Sequence, residues 1–156
     1  MKVILLVIGK TEESYLKEGI ALYEKRLSRY LSFEKKEIPA IKGLTDMEEQ
    51  KHKEAELLLK APDFISSDFV ILLDEKGTQF TSLEFAGFIQ KQLNKGFRKI
   101  VFIVGGAYGF SEKVYAESDA IISLSKQTFS HQMVRLFFVE QLYRAMTILK
   151  GEKYHH

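Results

Sequence analysis

Lys99-Ile100-Val101-Phe102-Ile103-Val104-Gly105-Gly106-Ala107-Tyr108-Gly109-Phe110 is the stretch whose reading decides the fold. The unbroken apolar run from Ile100 to Val104 marks a strand buried on both faces, and glycines follow it at once. A second strand, Ala120-Ile121-Ile122-Ser123-Leu124, ends in the polar loop Ser125-Lys126-Gln127-Thr128-Phe129-Ser130-His131. A long helix from about Gln132 to Lys150 comes next, and the chain closes on Glu152-Lys153-Tyr154-His155-His156. This alternation is the grammar of an α/β ligand site, in which ligands sit outside the carboxyl ends of strands and glycines let the backbone approach them. The glycines read G-G-x-x-G, which is neither the dinucleotide fingerprint nor a P-loop. A tight turn alone would explain them; the second polar loop at a strand end is what favours a binding site.

Working outward, Val3 to Ile8 reads as another strand buried on both faces. Glu12 to about Leu31 is helical, with Tyr15, Leu16, Ile20, Tyr23 and Leu27 at three- and four-residue spacing and Thr11 or Ser14 as its cap. Phe33 to Ile38 is a short strand stopped by Pro39, and Met47 to Lys60 a solvated helix packed by its last two turns and ended by Pro62. Within that helix His52 sits among charged neighbours and reads as a surface histidine. Phe69 to Leu73 is a third buried strand, closed by Asp74-Glu75-Lys76-Gly77 as a turn. A further helix opens at Thr81 or Ser82 and runs to Gly96. The pattern predicts an α/β fold, a mostly parallel sheet with helices on both faces, in one domain covering 1–156.

Composition narrows the class. At 156 residues with 46% hydrophobic content the chain can bury a sizeable core. It has no cysteine, hence no disulfide framework and no thiolate metal site, which suits a reducing cytoplasm. The opening apolar run is too short for a signal sequence, and no run approaches the roughly 20 apolar residues that span a bilayer. Net charge is only +2, but from Lys126 onward five Lys or Arg face two Glu, so the positive charge gathers on the stretch that carries the candidate site. The final helix is apolar nearly all round, from Met133 to Leu149, more than one core-facing stripe needs; such a helix is either central in a large core or shared with a partner.

Val104-Gly105-Gly106-Ala107-Tyr108-Gly109, Leu124 to Phe129, His131, Arg135 and the terminal Tyr154-His155, in this order and spacing, resemble the small SPOUT-class RNA methyltransferases. Specifically they resemble the RlmH family, which methylates N3 of a pseudouridine in 23S ribosomal RNA, and the resemblance covers the whole chain. The chain departs from that pattern at Ser130, where many relatives carry proline, and at His156, where relatives often carry Arg or Lys. The resemblance implies S-adenosylmethionine as cofactor, held by Leu73, Gly105 and the run Leu124, Ser125, Lys126, Gln127, Thr128 and Phe129. It also implies a C-terminal trefoil knot over about 99–156, a homodimer, and 23S RNA in the large subunit or the 70S ribosome as substrate, with no metal and no membrane.

Chemistry gives the site residues their roles. An adenine ring needs a flat apolar slot, which Leu73, Leu124 and Phe129 can line, although the pattern alone favours plain core for Leu73 and Leu124. An imide nitrogen is a poor nucleophile until it loses its proton, and histidine titrates in the right range. His155 with Tyr154 matches the terminal Tyr-His of the family the chain resembles, and that resemblance assigns it to pseudouridine recognition or proton removal. His131 and Arg135 share a face at the start of the last helix, where anions are favoured, and are expected with Lys153 to meet RNA; Arg135 is the candidate for a phosphate or a cofactor-carboxylate contact. The alternatives are a SPOUT methyltransferase of transfer RNA or another ribosomal position, and a non-enzymatic nucleotide-binding module of flavodoxin-like type.

Overall fold

Five parallel strands in the order β2-β1-β4-β3-β5 form the centre of the computed structural model, which describes all residues from Met1 to His156. In chain order these are β1 (Lys2–Ile8), β2 (Ser32–Ile38), β3 (Phe69–Gln79), β4 (Lys99–Val104) and β5 (Ala120–Ser123). The three apolar runs became the three inner strands because both of their faces are covered. Val3 to Ile8 and Ile100 to Val104 are all buried. β2 lies at an edge and is correspondingly charged, with Lys2–Glu34 and Lys35–Glu37 ion pairs at 2.8 and 2.9 Å; charges of this kind discourage pairing with a foreign strand.

Helices cover both faces. On one, α1 (Ser14–Leu27), α4 (Ser82–Asn94) and α6 (Met133–Leu149) pack Ile20, Phe85, Ile89, Phe138 and Leu142 against the odd-numbered face of β1 and its neighbours. On the other, α2 (Met47–Lys60), the single turn α3 (Pro62–Ile65) and α5 (Glu112–Ala116) contribute Ala55, Leu58, Phe64 and Val114. α4 starts with a complete capping box: Thr81 Oγ1 accepts from Glu84 N and Glu84 accepts from Thr81 N. α1 begins later than its periodicity predicts and has no side-chain cap. Thr11 is instead buried, its hydroxyl occupied by Arg135. Pro62 does not simply stop α2. It sits at the first position of α3, where its missing N–H goes unmissed. No helix is long and apolar enough to cross a membrane.

Two features differ from the sequence expectation. The strand order departs from the flavodoxin order 2-1-3-4-5 by exchanging the third and fourth strands, which removes the topological basis for the flavodoxin-like alternative. And 74–77 is not a closing turn. β3 meets Ile122 twice, first through Leu73 and again through Thr78, with Gln79 against Ser123. Between these points the chain passes across β5, and a Cβ on Gly77 would lie 2.6 Å from backbone atoms of Ile121 and Ile122. Only glycine fits this overpass. The trefoil knot implied by the resemblance is compatible with such a crossing.

Candidate active site

The carboxyl ends of β3, β4 and β5 open into one cavity of about 380 Å³, within the range of small-molecule sites. Apolar side chains Leu73, Val104, Leu124 and Phe129 supply part of its wall, and Asp74, Glu75, Ser125 and Gln127 the polar remainder. The β4 glycines close the loop on itself: Gly109 N donates to Gly106 O at 3.2 Å, and Gly109 takes φ +77° to make that reversal. Ser125 organises the β5 loop, its carbonyl accepting from Ser123 Oγ at 2.7 Å and its hydroxyl accepting from Gln127 N at 3.0 Å. Thr128 Oγ1 donates to Glu75 Oε2 at 2.7 Å, tying this loop to the overpass, and Phe129 stacks on Phe137 with ring centroids 4.8 Å apart. Tyr115 donates to Asp74 Oδ2 at 2.7 Å; burial and that carboxylate push its phenol well above the ordinary range, so it remains a donor.

Of the eight residues assigned to the cofactor, Leu73, Gly105, Leu124, Ser125, Gln127, Thr128 and Phe129 line this cavity. Lys126 is exposed and is not part of the cavity lining. An added Cβ on Gly105 would meet the Phe110 ring at 3.2 Å, so packing also disfavours a side chain there. His131 lines the cavity wall, and burial beside the Arg135 cation lowers its pKa, keeping the ring neutral near pH 7.

Arg135 is a correction. It is fully buried, and its guanidinium donates to the carbonyls of His131 (3.0 Å), Gly9 (3.0 Å) and Ile8 (2.7 Å) and to Thr11 Oγ1 (3.1 Å). A side chain committed in this way cannot reach RNA. It fastens the first turn of α6 to the end of β1, because carbonyls emerging there have no strand partner.

The terminal residues form a separate cluster. A single 3₁₀ turn, Lys153–His155, folds Tyr154 onto α1 and α6. Tyr154 Oη donates to Glu140 Oε1 at 2.9 Å and lies 3.2 Å from Tyr23 Oη, while Arg144 covers its ring at 4.6 Å. His155 Nδ1 is 3.4 Å from Arg144 Nη1, and Lys153 is exposed. None of the three lines the cavity of its own chain. The turn folds back along α6 onto Glu140 and Arg144, which lie about 9 and 15 Å along the helix axis from Val134 in the cavity wall.

Sequence reading missed Asp74, Glu75 and Tyr115 in the cavity, and Glu140 and Arg144 around the tail. The last two had a readable signal: they are four apart on a helix and pair at 2.7 Å.

Comparison with known proteins gives a consistent picture. A family model described as "Predicted SPOUT methyltransferase" matches residues 1–155. The chain is 53% identical over 158 residues to ribosomal RNA large subunit methyltransferase H of Christiangramia forsetii, covering 100% of this chain and 99% of the relative. It is 54% identical over 156 residues to the protein of the same name from Cytophaga hutchinsonii, covering both completely. Among solved structures it resembles a probable methylase family protein from Haemophilus influenzae (TM-score 0.55, 11% identity, 99% of this chain and 70% of that one). It also resembles a probable methyltransferase from Bordetella pertussis (TM-score 0.56, 10% identity, 92% and 95%). At such identities the structural likeness shows a shared fold.

Proposed function

The chain belongs to the SPOUT methyltransferase family, and from that premise we propose that it transfers a methyl group from S-adenosylmethionine to ribosomal RNA, at N3 of a pseudouridine in 23S RNA. The substrate is RNA held in the large subunit or the 70S ribosome, in the cytoplasm. The observation that carries this reading is the convergence of three strand ends on one cavity. The full-length relatives named for ribosomal RNA methylation support it.

The cavity's chemistry fits the cofactor. Leu73, Leu124 and Phe129 offer apolar surface for a nucleobase, Ser125 and Gln127 offer hydrogen bonds, and the carboxylates of Asp74 and Glu75 suit a cation. When bound, the cofactor supplies an electrophilic methyl group on a positively charged sulfur. The chain's own part is to position and desolvate the reacting groups. The Ser125 turn and the Thr128–Glu75 bond hold the loop that would cover the ligand.

Removal of the imide proton falls to the tail. Tyr154 is held as a phenol by burial and by its bonds to Tyr23 and Glu140, which raise its pKa, so it anchors the tail and leaves His155 to meet the base. Because no tail residue lines the cavity of its own chain, and the tail is packed instead against Tyr23, Glu140 and Arg144, the working site calls for a second copy. Phe137 and Leu83 are 42% and 61% exposed, and this apolar face around α6 supports a two-fold dimer that brings each tail, with Lys153, to the partner's cavity and to the RNA beside His131. A chain this small offers little RNA footprint, so specificity comes from the assembled particle.

Complementation tests the arrangement. Thr128→Trp, which fills the cavity from an exposed position, and truncation before Tyr154 should each inactivate the homodimer. Heterodimers of the two should regain one working site and methylate large subunits but not protein-free RNA. Inactive heterodimers, alongside active pairs of wild type with the doubly altered chain, would place the whole site in one subunit.

A further inference from the structure

Beside the cofactor cavity lies a second one of about 790 Å³, bounded by the ends of β1 and β2, the loop at Gly106-Ala107 and one face of α2. Ala107 and His131 line both cavities, so a ligand in one meets a ligand in the other across a single wall. The charged and titratable groups around it are Lys10, Glu12 and Lys17 from the β1 end and α1, Glu37 and Lys42 from β2 and its loop, Glu54 from α2, and His131. Glu37 is held by Lys35 at 2.9 Å, whereas Lys10, Lys17 and Lys42 form no ion pair.

Glu54 is the anomaly in this wall. Its side chain is only 3% exposed, it has no cationic partner, and its single hydrogen bond comes from Gln50 Nε2 at 3.1 Å. The carboxylate takes the room a side chain on the glycine loop would need: a Cβ on Gly106 would stand 2.6 and 2.7 Å from its two oxygens. A carboxylate buried with one neutral donor is unfavourable unless something else donates to it, and burial raises its pKa accordingly. Within the fold only Gln50 donates to it; its second oxygen has no protein donor and is not sealed off in the fold, and Glu54 lines the cavity, where a ligand can supply the donor.

We propose that this second cavity seats the target base and that Glu54 accepts the N1–H of pseudouridine, so selecting it over uridine. The inference rests on the methylation reading above and deepens it. Superposed on their sugar attachments, the two bases present the same N3–H between two carbonyls; they differ where pseudouridine has N1–H and uridine has C5–H. An acceptor directed at that edge is therefore the feature needed to tell them apart. With N3 turned across Ala107 toward the cofactor, N1 faces the α2 wall, and the unpaired lysines at the rim are placed for flanking phosphates. Loss of a hydrogen bond to a charged group corresponds to about a tenfold to hundredfold effect.

The test compares large subunits carrying pseudouridine at the target with subunits from a strain lacking the pseudouridine synthase, which carry uridine there. Wild type should favour the first by at least about tenfold in kcat/KM. Glu54→Leu should bring that ratio close to one, and Glu54→Gln should leave it between. Cofactor affinity by calorimetry should hold in both variants, and the melting temperature of Glu54→Gln should hold or rise, which a merely structural role would not allow. A wild-type ratio retained in a folded variant overturns the assignment of Glu54 and leaves the methylation reading intact. Failure of the wild type to methylate either particle overturns both. If Glu54→Leu does not fold, the Glu54→Gln ratio alone decides.

Discussion

Replacing Arg135 by Met removes four hydrogen bonds at once while nearly preserving volume. The three carbonyls of Ile8, Gly9 and His131 and the Thr11 hydroxyl would lose their donor inside the protein. At about 1 kcal/mol net for each bond the loss is about 4 kcal/mol, inside the range of about 3–5 kcal/mol seen when one side of a buried charged network is deleted. For a chain of this size each kcal/mol moves the melting temperature by about 2–4 °C, so calorimetry should show a fall of about 8–16 °C. Arg135→Lys separates this brace from a phosphate contact. Lysine keeps the charge that a phosphate would require but cannot reproduce the guanidinium fork. It should therefore also melt well below wild type, with the salt dependence of ribosome binding unchanged. A fall of less than about 3 °C for Arg135→Met, or an Arg135→Lys protein that melts with the wild type, would refute the reasoning.

Gly77→Ala should leave little soluble folded protein, because its methyl group would strike the β5 backbone, whereas Gly87→Ala, on the open face of α4, should gain about 0.5–1 kcal/mol; equal melting curves for the two would remove the overpass as a constraint. His131 has a lowered pKa in the folded chain, so its contribution is complete above the unfolded value near 6.5 and is lost as pH falls toward the folded one; His131→Gln should flatten the stability curve below pH about 6.5, and an unchanged slope would contradict this. Glu54 has the opposite sign. Its raised pKa means stability is lost as pH climbs through the folded value, so Glu54→Gln should gain most at neutral pH and least below about pH 4; denaturant titrations across pH check it. Glu140→Ala should release the Tyr154 hydroxyl and the Arg144 pair, lowering kcat on ribosomes while leaving cofactor affinity intact; a loss of cofactor affinity instead would show that the tail does not act as a separate element.

How far the sequence could be read follows from which forces act locally. Runs such as Val3 to Ile8 and Ile100 to Val104 announce buried strands because both faces must be apolar, and Thr81 with Glu84 announces a helix start through bonds three residues apart. The strand-end cavity was visible for the same reason, as loops following those runs. What stayed hidden depends on contacts distant in sequence. Asp74 to Gly77 has the composition of a turn, and only the presence of β5 beneath it keeps the backbone extended. Arg135, on a helix start four residues from a histidine, has the pattern of an anion site; its burial depends on carbonyls some 125 positions away. Glu54 lies in a charged stretch that reads as solvated, and nothing local shows that Gly106 will be set against it.

The overpass of β3 on β5 also sets an order of assembly. Residues 69–79 leave the ribosome before 120–123, yet neither segment can reach its final place alone, since Gly77 rests on the Ile121–Ile122 peptide and Ile122 pairs with β3 on both sides of the crossing. Edge strands usually fray first, but β5 is latched at an edge by a chain laid over it. Its amides should therefore exchange with solvent only when the whole sheet opens, and refolding should wait on the closure of this latch, a distant contact with a large loop to close beforehand. Such a strand gives the loop from Ser125 to Phe129 a rigid mount, obtained from chain topology and without a larger core.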